Sequence, residues 1–403
     1  MQLSLMSLGF LGLSVTAVIL LAILKGVARQ FAFLVLNVLF IWGLLLGLNG
    51  AISITVFCLL GYSLAQLVLW KPRWSFPVGL TCFVILFIYM RDYEFLHWAL
   101  PESILINILS TVGLSFLFFK IVHVMIESHS GTLGSLEFLT YMNYCLNFTT
   151  FMMGPIQRYQ DFYAQWHGQK QAIPLHYEAH LNAVLRILVG FLKAYVIAGR
   201  LAPLALAHDS NVLGLPLSAL LVRIYAFYFF LYFNFAGYCD VVIGIGSLLG
   251  VRPPENFNMP FLARNISDFW LRMHRSLTLW LTDYIFSPLY KRLLTGRRLT
   301  SHPMVAVNIS LLVTMIVSGL WHGTTLSFLL FGIVHGVYLV VFRTWDMLIV
   351  QRYGKQRVRE WRKKWIVRAS GIFITFNAVA FAFVLFRLDA TEAMHVFARF
   401  LRL

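Results

Sequence analysis

Eleven apolar runs, each close to the length of one membrane crossing, recur along the 403-residue chain. They fall near 4–24, 31–48, 51–69, 75–90, 103–125, 136–153, 183–206, 215–236, 303–320, 324–342 and 365–386. A helix of ~20 residues covers the ~30 Å of hydrocarbon in a bilayer, and an open chain satisfies its backbone there only as helix. The runs therefore predict an all-α, polytopic membrane protein of about ten or eleven transmembrane helices. Re-entrant or interfacial helices would enclose a central funnel or tunnel. Composition agrees. The chain is 60% hydrophobic and 12% charged, against about 25% charged in a soluble domain, so its charges cannot coat a soluble surface. The first run has no basic stretch before it and no small-residue cleavage site after it, and it reads as a retained span.

Net charge is +16, from 32 Lys and Arg against 16 Asp and Glu. In a chain of spans, basic residues flank the membrane and meet anionic lipid head groups, so the charge does not point to nucleic acid. The four cysteines, Cys58, Cys82, Cys145 and Cys239, show no ligand spacing. Neither a disulfide framework nor a metal site is indicated. Tight breaks are expected at Asn49-Gly50 and Lys71-Pro72, and a polar stretch at 154–180. A basic loop at 355–364 points to the cytoplasmic side. Residues 391–403 form a short basic amphipathic segment of interfacial type.

The least lipid-like stretch is 237–300. Gly237, Gly244, Gly246 and Gly250 break one apolar run there. Arg252-Pro253-Pro254-Glu255-Asn256-Phe257-Asn258 cannot face lipid, and irregular polar backbone beside spans is tolerated where it lines a watery cavity. An amphipathic helix over Asp268 to Leu294 is expected next, at the membrane surface or walling a funnel. It carries His274. A second histidine, His322, stands in Gly319-Leu320-Trp321-His322-Gly323 where two apolar runs join. An ionisable group at membrane depth is a functional candidate by default. Burial keeps an imidazole neutral, and a neutral imidazole is a usable general base. A histidine in a span also serves as a helix-to-helix hydrogen-bonding residue; on chemistry alone both readings stay open. His335 reads as a packing or supporting residue. Asp240, one acid in an apolar stretch, reads as structural, orienting a neighbour or capping a helix after the glycine break. No phosphate-binding loop, His-Glu-x-x-His or nucleophile elbow is present.

Several segments, taken in order, resemble the membrane-bound O-acyltransferase family, closest to its bacterial branch of alginate O-acetyl and teichoic-acid D-alanyl transfer proteins. They are Gly154-Pro155-Ile156-Gln157-Arg158-Tyr159, the stretch Tyr232 to Asp240, Pro254 to Phe261, Ile266 to His274, Ser276 to Phe286, Gly319 to Gly323, His335-Gly336 and, more weakly, Val384-Leu385-Phe386-Arg387. The family's invariant histidine maps to His322 and its second active-site position to His274. The sequence departs from the family pattern at Leu271, Met273 and Thr282, and Ser287 to Arg292 replaces the segment that follows in alginate-type members.

The resemblance implies one integral membrane domain over 1–403, with N-terminal helices over 1–130, a catalytic core over 131–390 and the interfacial segment 391–403. It implies transfer of an acyl group, acetyl or D-alanyl, to a hydroxyl of a cell-envelope polymer or its relay partner. The donor would be a cytoplasmic thioester, acyl-coenzyme A or an acyl carrier protein's phosphopantetheine arm. The bilayer, that carrier or coenzyme, and an extracytoplasmic acyltransferase would be the partners, and the cytoplasmic (inner) membrane the location. His322 and His274 would be catalytic. Arg272, Trp321, Asn258, Asp283, Arg264, Lys291 and Arg292 are candidates for substrate or donor binding. His335 and Asp240 would support the site from behind. No bound cofactor or metal is implied. A transporter or channel, or a catalytically inactive membrane scaffold, is the alternative. A transporter would show paired broken helices and intramembrane acids; the histidine pair argues against a scaffold.

Overall fold

A computed structural model describes residues 7–101, 113–168, 177–207, 212–295 and 299–401. Helices dominate, and no strand occurs among the described residues. Eight helices there are long and apolar enough to cross a membrane, from Gly26–Gly43 to Trp365–Arg387, joined by the shorter apolar helix Leu8–Ile23. The eight bury only 17% to 44% of their apolar windows within the protein, so the rest of each apolar surface is left for lipid.

Several boundaries differ from expectation. The run 136–153 is no single span. Its helix, Phe138–Leu146, is nine residues long and ends at Asn147, whose side-chain oxygen accepts from Thr149 N and Oγ1 at 3.1 and 2.9 Å. A polar side chain that offers the backbone such a partner ends a helix. The run 103–125 is described only from 113 on, where it forms Leu114–His129; residues 103–112 lie outside the described residues, as do 169–176 of the polar stretch. The chain does not break at Asn49-Gly50, which continues a helix after the π-turn Phe40–Leu46. It does break before Pro72, which opens Pro72–Arg91. The basic loop is itself a helix, Lys355–Lys363.

The chain forms two compact units. The first comprises Met1–Leu192 and Gly237–Pro254. Phe10, Phe33, Phe40 and Phe148 pack at its core, edge-on except for the tilted Phe40–Phe148 pair. Buried Lys120 holds the Asn147 turn by donating to Tyr144 O and Thr150 Oγ1. Glycines 237, 244 and 246 do not break the apolar run, since Leu217–Leu248 is one helix. They mark close approach. A Cβ on Gly244 would lie 2.8 Å from Ala183 O, and one on Gly190 2.6 Å from Gly237 O. The helix ends just before Gly250, at φ +77°, a conformation glycine adopts without a Cβ clash. Asp240 therefore caps nothing; it pairs in mid-helix with Arg186 at 3.0 Å.

The second unit comprises Lys193–Ala236 and Glu255–Leu403. Its apolar core joins Tyr228, Phe269, Met315, Phe331 and Phe383. Its tightest helix pair is Pro303–His322 against Leu326–Tyr353. A Cβ on Gly319 would lie 2.3 Å from Phe328 O, and one on Gly332 2.5 Å from Met315 O. Small residues let helix backbones approach closely, and that contact places His322. The C-terminal helix Ala390–Leu401 turns Ala393 and Val396 inward, as an amphipathic segment should.

Candidate active site

His322 is the last residue of Pro303–His322 and half-buried. Gly323 N–H closes the helix onto Gly319 O. His322 thus stands where a span ends, with aromatic rings around it: Trp321 at 4.8 Å, Phe386 at 5.2 Å and Phe331 at 6.0 Å between centroids.

The second histidine arrives by a different route. The expected helix over Asp268 to Leu294 is interrupted by a break between Ile266–Trp270 and Arg275–Leu281, and then by the π-turn Thr282–Phe286, which leads on continuously into Ser287–Thr295. The first break falls at His274, whose backbone is left-handed at φ +49°. A non-glycine residue there is held at a cost of about 1–3 kcal/mol and persists only where its surroundings over-determine it. Here the surroundings are a clamp. Arg275 N donates to Asn256 O at 2.9 Å, and Asn256 Oδ1 accepts from Ser276 N and Oγ at 3.1 and 2.8 Å. Two residues before His274, Asn258 N donates to Arg272 O, Arg272 Nη1 returns a bond to Asn258 O, and Arg272 Nε donates to Asp268 at 2.7 Å. Asn265 caps the first short helix by accepting from Asp268 N.

This turn aims a buried imidazole at His322. The two rings lie 6.2 Å apart between centroids, and His274 packs on Trp321 at 5.8 Å and Phe235 at 5.0 Å. Burial pushes the His274 pKa well below the ordinary histidine value, and His322 pushes it the same way. The native state therefore leaves His274 neutral below about pH 6.5, where an unfolded histidine takes up a proton. Unfolding then binds more protons than the fold, so stability falls as pH drops through that value. Thermal midpoints between pH 7.5 and 5.5 should decline more steeply in the native protein than in His274→Gln; equal slopes would refute this.

The structure gathers His322, His274 and Trp321 at one place. Arg272 joins them as a brace for the turn. Asn258 reaches the same brace through its backbone, with its side chain exposed. Asp283 lies exposed in the π-turn, and Lys291 and Arg292 lie exposed on Ser287–Thr295. Arg264 lines a groove that Arg272 and Asp268 also line and that no histidine lines. His335 is fully buried against Phe331 at 4.5 Å and Trp270 at 5.1 Å. Its ring nitrogens have no hydrogen-bond partner among the described residues, so it stands behind the site as a packed ring. Asp240 belongs to the first unit and its Arg186 pair.

Sequence reasoning missed Asn256 as a site residue. The available signal was a small polar side chain inside a Pro-broken stretch, since a buried polar group there must hold something. Asn256→Ala strands the buried Ser276 N–H at a cost of about 1–3 kcal/mol and releases the His274 turn. A lower thermal midpoint together with a loss of transfer activity of about tenfold or more is expected. An active, equally stable variant would remove the clamp from the argument.

Residues 83–384 match the sequence model of the membrane-bound O-acyltransferase family. A teichoic acid D-alanyltransferase of Bacillus subtilis is 28% identical over 389 residues, covering 94% of this chain and 89% of that protein. One of Streptococcus thermophilus is 31% identical over 296 residues, covering 70% and 69%. A probable alginate O-acetylase of Azotobacter vinelandii is 31% identical over 242 residues, covering 59% and 45%.

Proposed function

This chain belongs to the membrane-bound O-acyltransferase family, and on that premise we propose that it moves an acetyl or D-alanyl group from a cytoplasmic thioester to a hydroxyl of a cell-envelope polymer or of a relay partner. The observation that carries the reading is the meeting of His322, half-exposed at a helix end, with buried His274. Relatives named for D-alanyl and alginate O-acetyl transfer support the choice of acyl groups.

In this reaction His322 accepts the proton of the acceptor hydroxyl as its oxygen attacks the thioester carbonyl. An oxygen–carbon bond forms and the carbonyl oxygen takes up negative charge. His274, neutral and held by the Asn256 clamp, donates to that oxygen or orients the acceptor. The tetrahedral intermediate collapses with loss of the carbon–sulfur bond, and the thiolate leaves with the proton that His322 took. The products are an ester and a free thiol. Trp321, Phe331 and Phe386 exclude water, which otherwise competes for the thioester. Lys291 and Arg292 face the phosphate or acidic surface of the donor. The donor is an acyl carrier protein's phosphopantetheine arm or acyl-coenzyme A, and an extracytoplasmic acyltransferase receives the group in the relay form. The protein works in the cytoplasmic membrane.

The test uses purified protein in lipid nanodiscs with acetyl-coenzyme A and a D-alanyl carrier protein as separate donors. Release of free thiol that requires added acceptor supports the reading. Absence of release with every donor would overturn it. His274→Ala should lose about tenfold or more with the donor KM little changed, on the scale of one oxyanion or acid–base contact. Full activity would reduce His274 to structure.

A further inference from the structure

A groove of about 610 Å³ with no histidine in its lining opens in the second unit. It lies at the polar ends of two spans, Leu326–Tyr353 and Trp365–Arg387, which the Lys355–Lys363 helix connects. Five cations line it: Arg264, Arg272, Arg362, Lys364 and Arg368. Two are already committed, Arg272 to Asp268 and Arg362 to Asp346. Arg264, Lys364 and Arg368 have no carboxylate partner among the described residues; Arg368 Nε donates to the backbone oxygen of Arg362. The one acid in the lining, Asp268, is occupied by Arg272 Nε and by Arg264 N–H. The groove thus holds an uncompensated positive charge.

Its other wall is apolar, formed by Trp345, Ile349 and Val367 on the two spans. Trp345 is 62% exposed, and Trp365, next in sequence to the lining residue Lys364, is 76% exposed. Tryptophans at span ends mark the head-group level of a bilayer, and basic pockets between spans at that level suit anionic head groups. A free anion would use the cations and leave the apolar wall wet. An amphiphile uses both.

We propose that this groove binds one anionic phospholipid, with Arg264, Lys364 and Arg368 meeting the phosphate and the Trp345–Val367 wall taking the acyl chain. The groove shares Asp268 and Arg272 with the brace of the His274 turn, but the proposal stands independently of the reading above.

The full-length protein, delipidated in neutral detergent, is titrated with phosphatidylglycerol, with phosphatidylcholine or with inorganic phosphate. Retained lipid is counted by native mass spectrometry and the thermal midpoint is followed. Phosphatidylglycerol should bind with roughly tenfold or greater preference over phosphatidylcholine and raise the midpoint. Each of Lys364→Gln and Arg368→Gln should weaken that binding about fivefold, the effect of one cation near an anionic lipid surface, without changing the midpoint in phosphatidylcholine. Equal retention of the two lipids overturns the proposal. So does full retention by both variants. Phosphate alone reproducing the shift overturns the lipid assignment and leaves a free-anion site. If a variant fails to fold, the wild-type lipid preference still decides, because it needs no substitution.

Discussion

Replacing His322 by alanine lowers acyl transfer by about two to four orders of magnitude, the contribution of one positioned general base. The helix should survive, because His322 is its last residue and alanine is the best helix former. Alanine does leave a gap beside Phe386 and Phe331. Glutamine at 322 keeps a polar side chain of similar size, fills more of that gap and accepts no proton at neutral pH. Both variants should therefore be inactive while eluting as monodisperse protein with near-normal thermal midpoints. The measurement is thiol release from a donor thioester, with and without acceptor. If His322→Gln retains even a tenth of native turnover, the imidazole is not the base and the proposed mechanism falls.

Gly319→Ala is expected to do nearly as much damage without touching a reacting atom. The added methyl would meet Phe328 O at 2.3 Å and the Gly332 backbone at 2.9 Å. Both neighbours are backbone, so relief comes only from parting the two helices. Overpacking of this kind costs about 1–3 kcal/mol. The larger consequence is geometric. His322 follows Gly319 on the next turn of the same helix, and a displacement near 1 Å of a catalytic group costs about a hundredfold in rate. Gly199→Ala provides the control, since nothing lies within 4 Å of a Cβ there. The expected outcome is a roughly hundredfold loss for the first, at reduced yield, and native behaviour for the second. Full activity in Gly319→Ala would show that the helix contact does not position the base.

The two histidines were legible in the sequence as candidates. His322 announced itself as an ionisable residue flanked by glycines at the join of two apolar runs, and His274 as a histidine inside an aromatic, basic segment. Their proximity was not legible from chemistry, because nothing in their spacing says that the chain turns back. The substrate-facing list was less secure for a related reason. Arg264 and Arg272 read as candidates for the donor's phosphate or acidic surface; both line the groove beside the Lys355–Lys363 helix, and Arg272 also braces a turn through Asp268. Asn258 was favoured over Asn256, although Asn256 is the buried residue that grips Ser276. A pattern of polar letters gives no direction for each side chain in an irregular segment.

What the sequence determined alone was the helical, membrane-spanning architecture and the presence of an imidazole at position 322, where two apolar runs join. Those follow from run length and residue type, which are local properties summed along the chain. What only the tertiary structure decided was backbone geometry at particular points. The glycines at 237, 244 and 246 proved to be contact sites inside one helix, and the helix expected through His274 was broken into a left-handed turn. Both depend on partners far along the chain: Ala183 O meets Gly244, and Asn256 holds Ser276. Hydrophobic periodicity reports the burial of a segment but not the hydrogen bonds and close approaches that bend it.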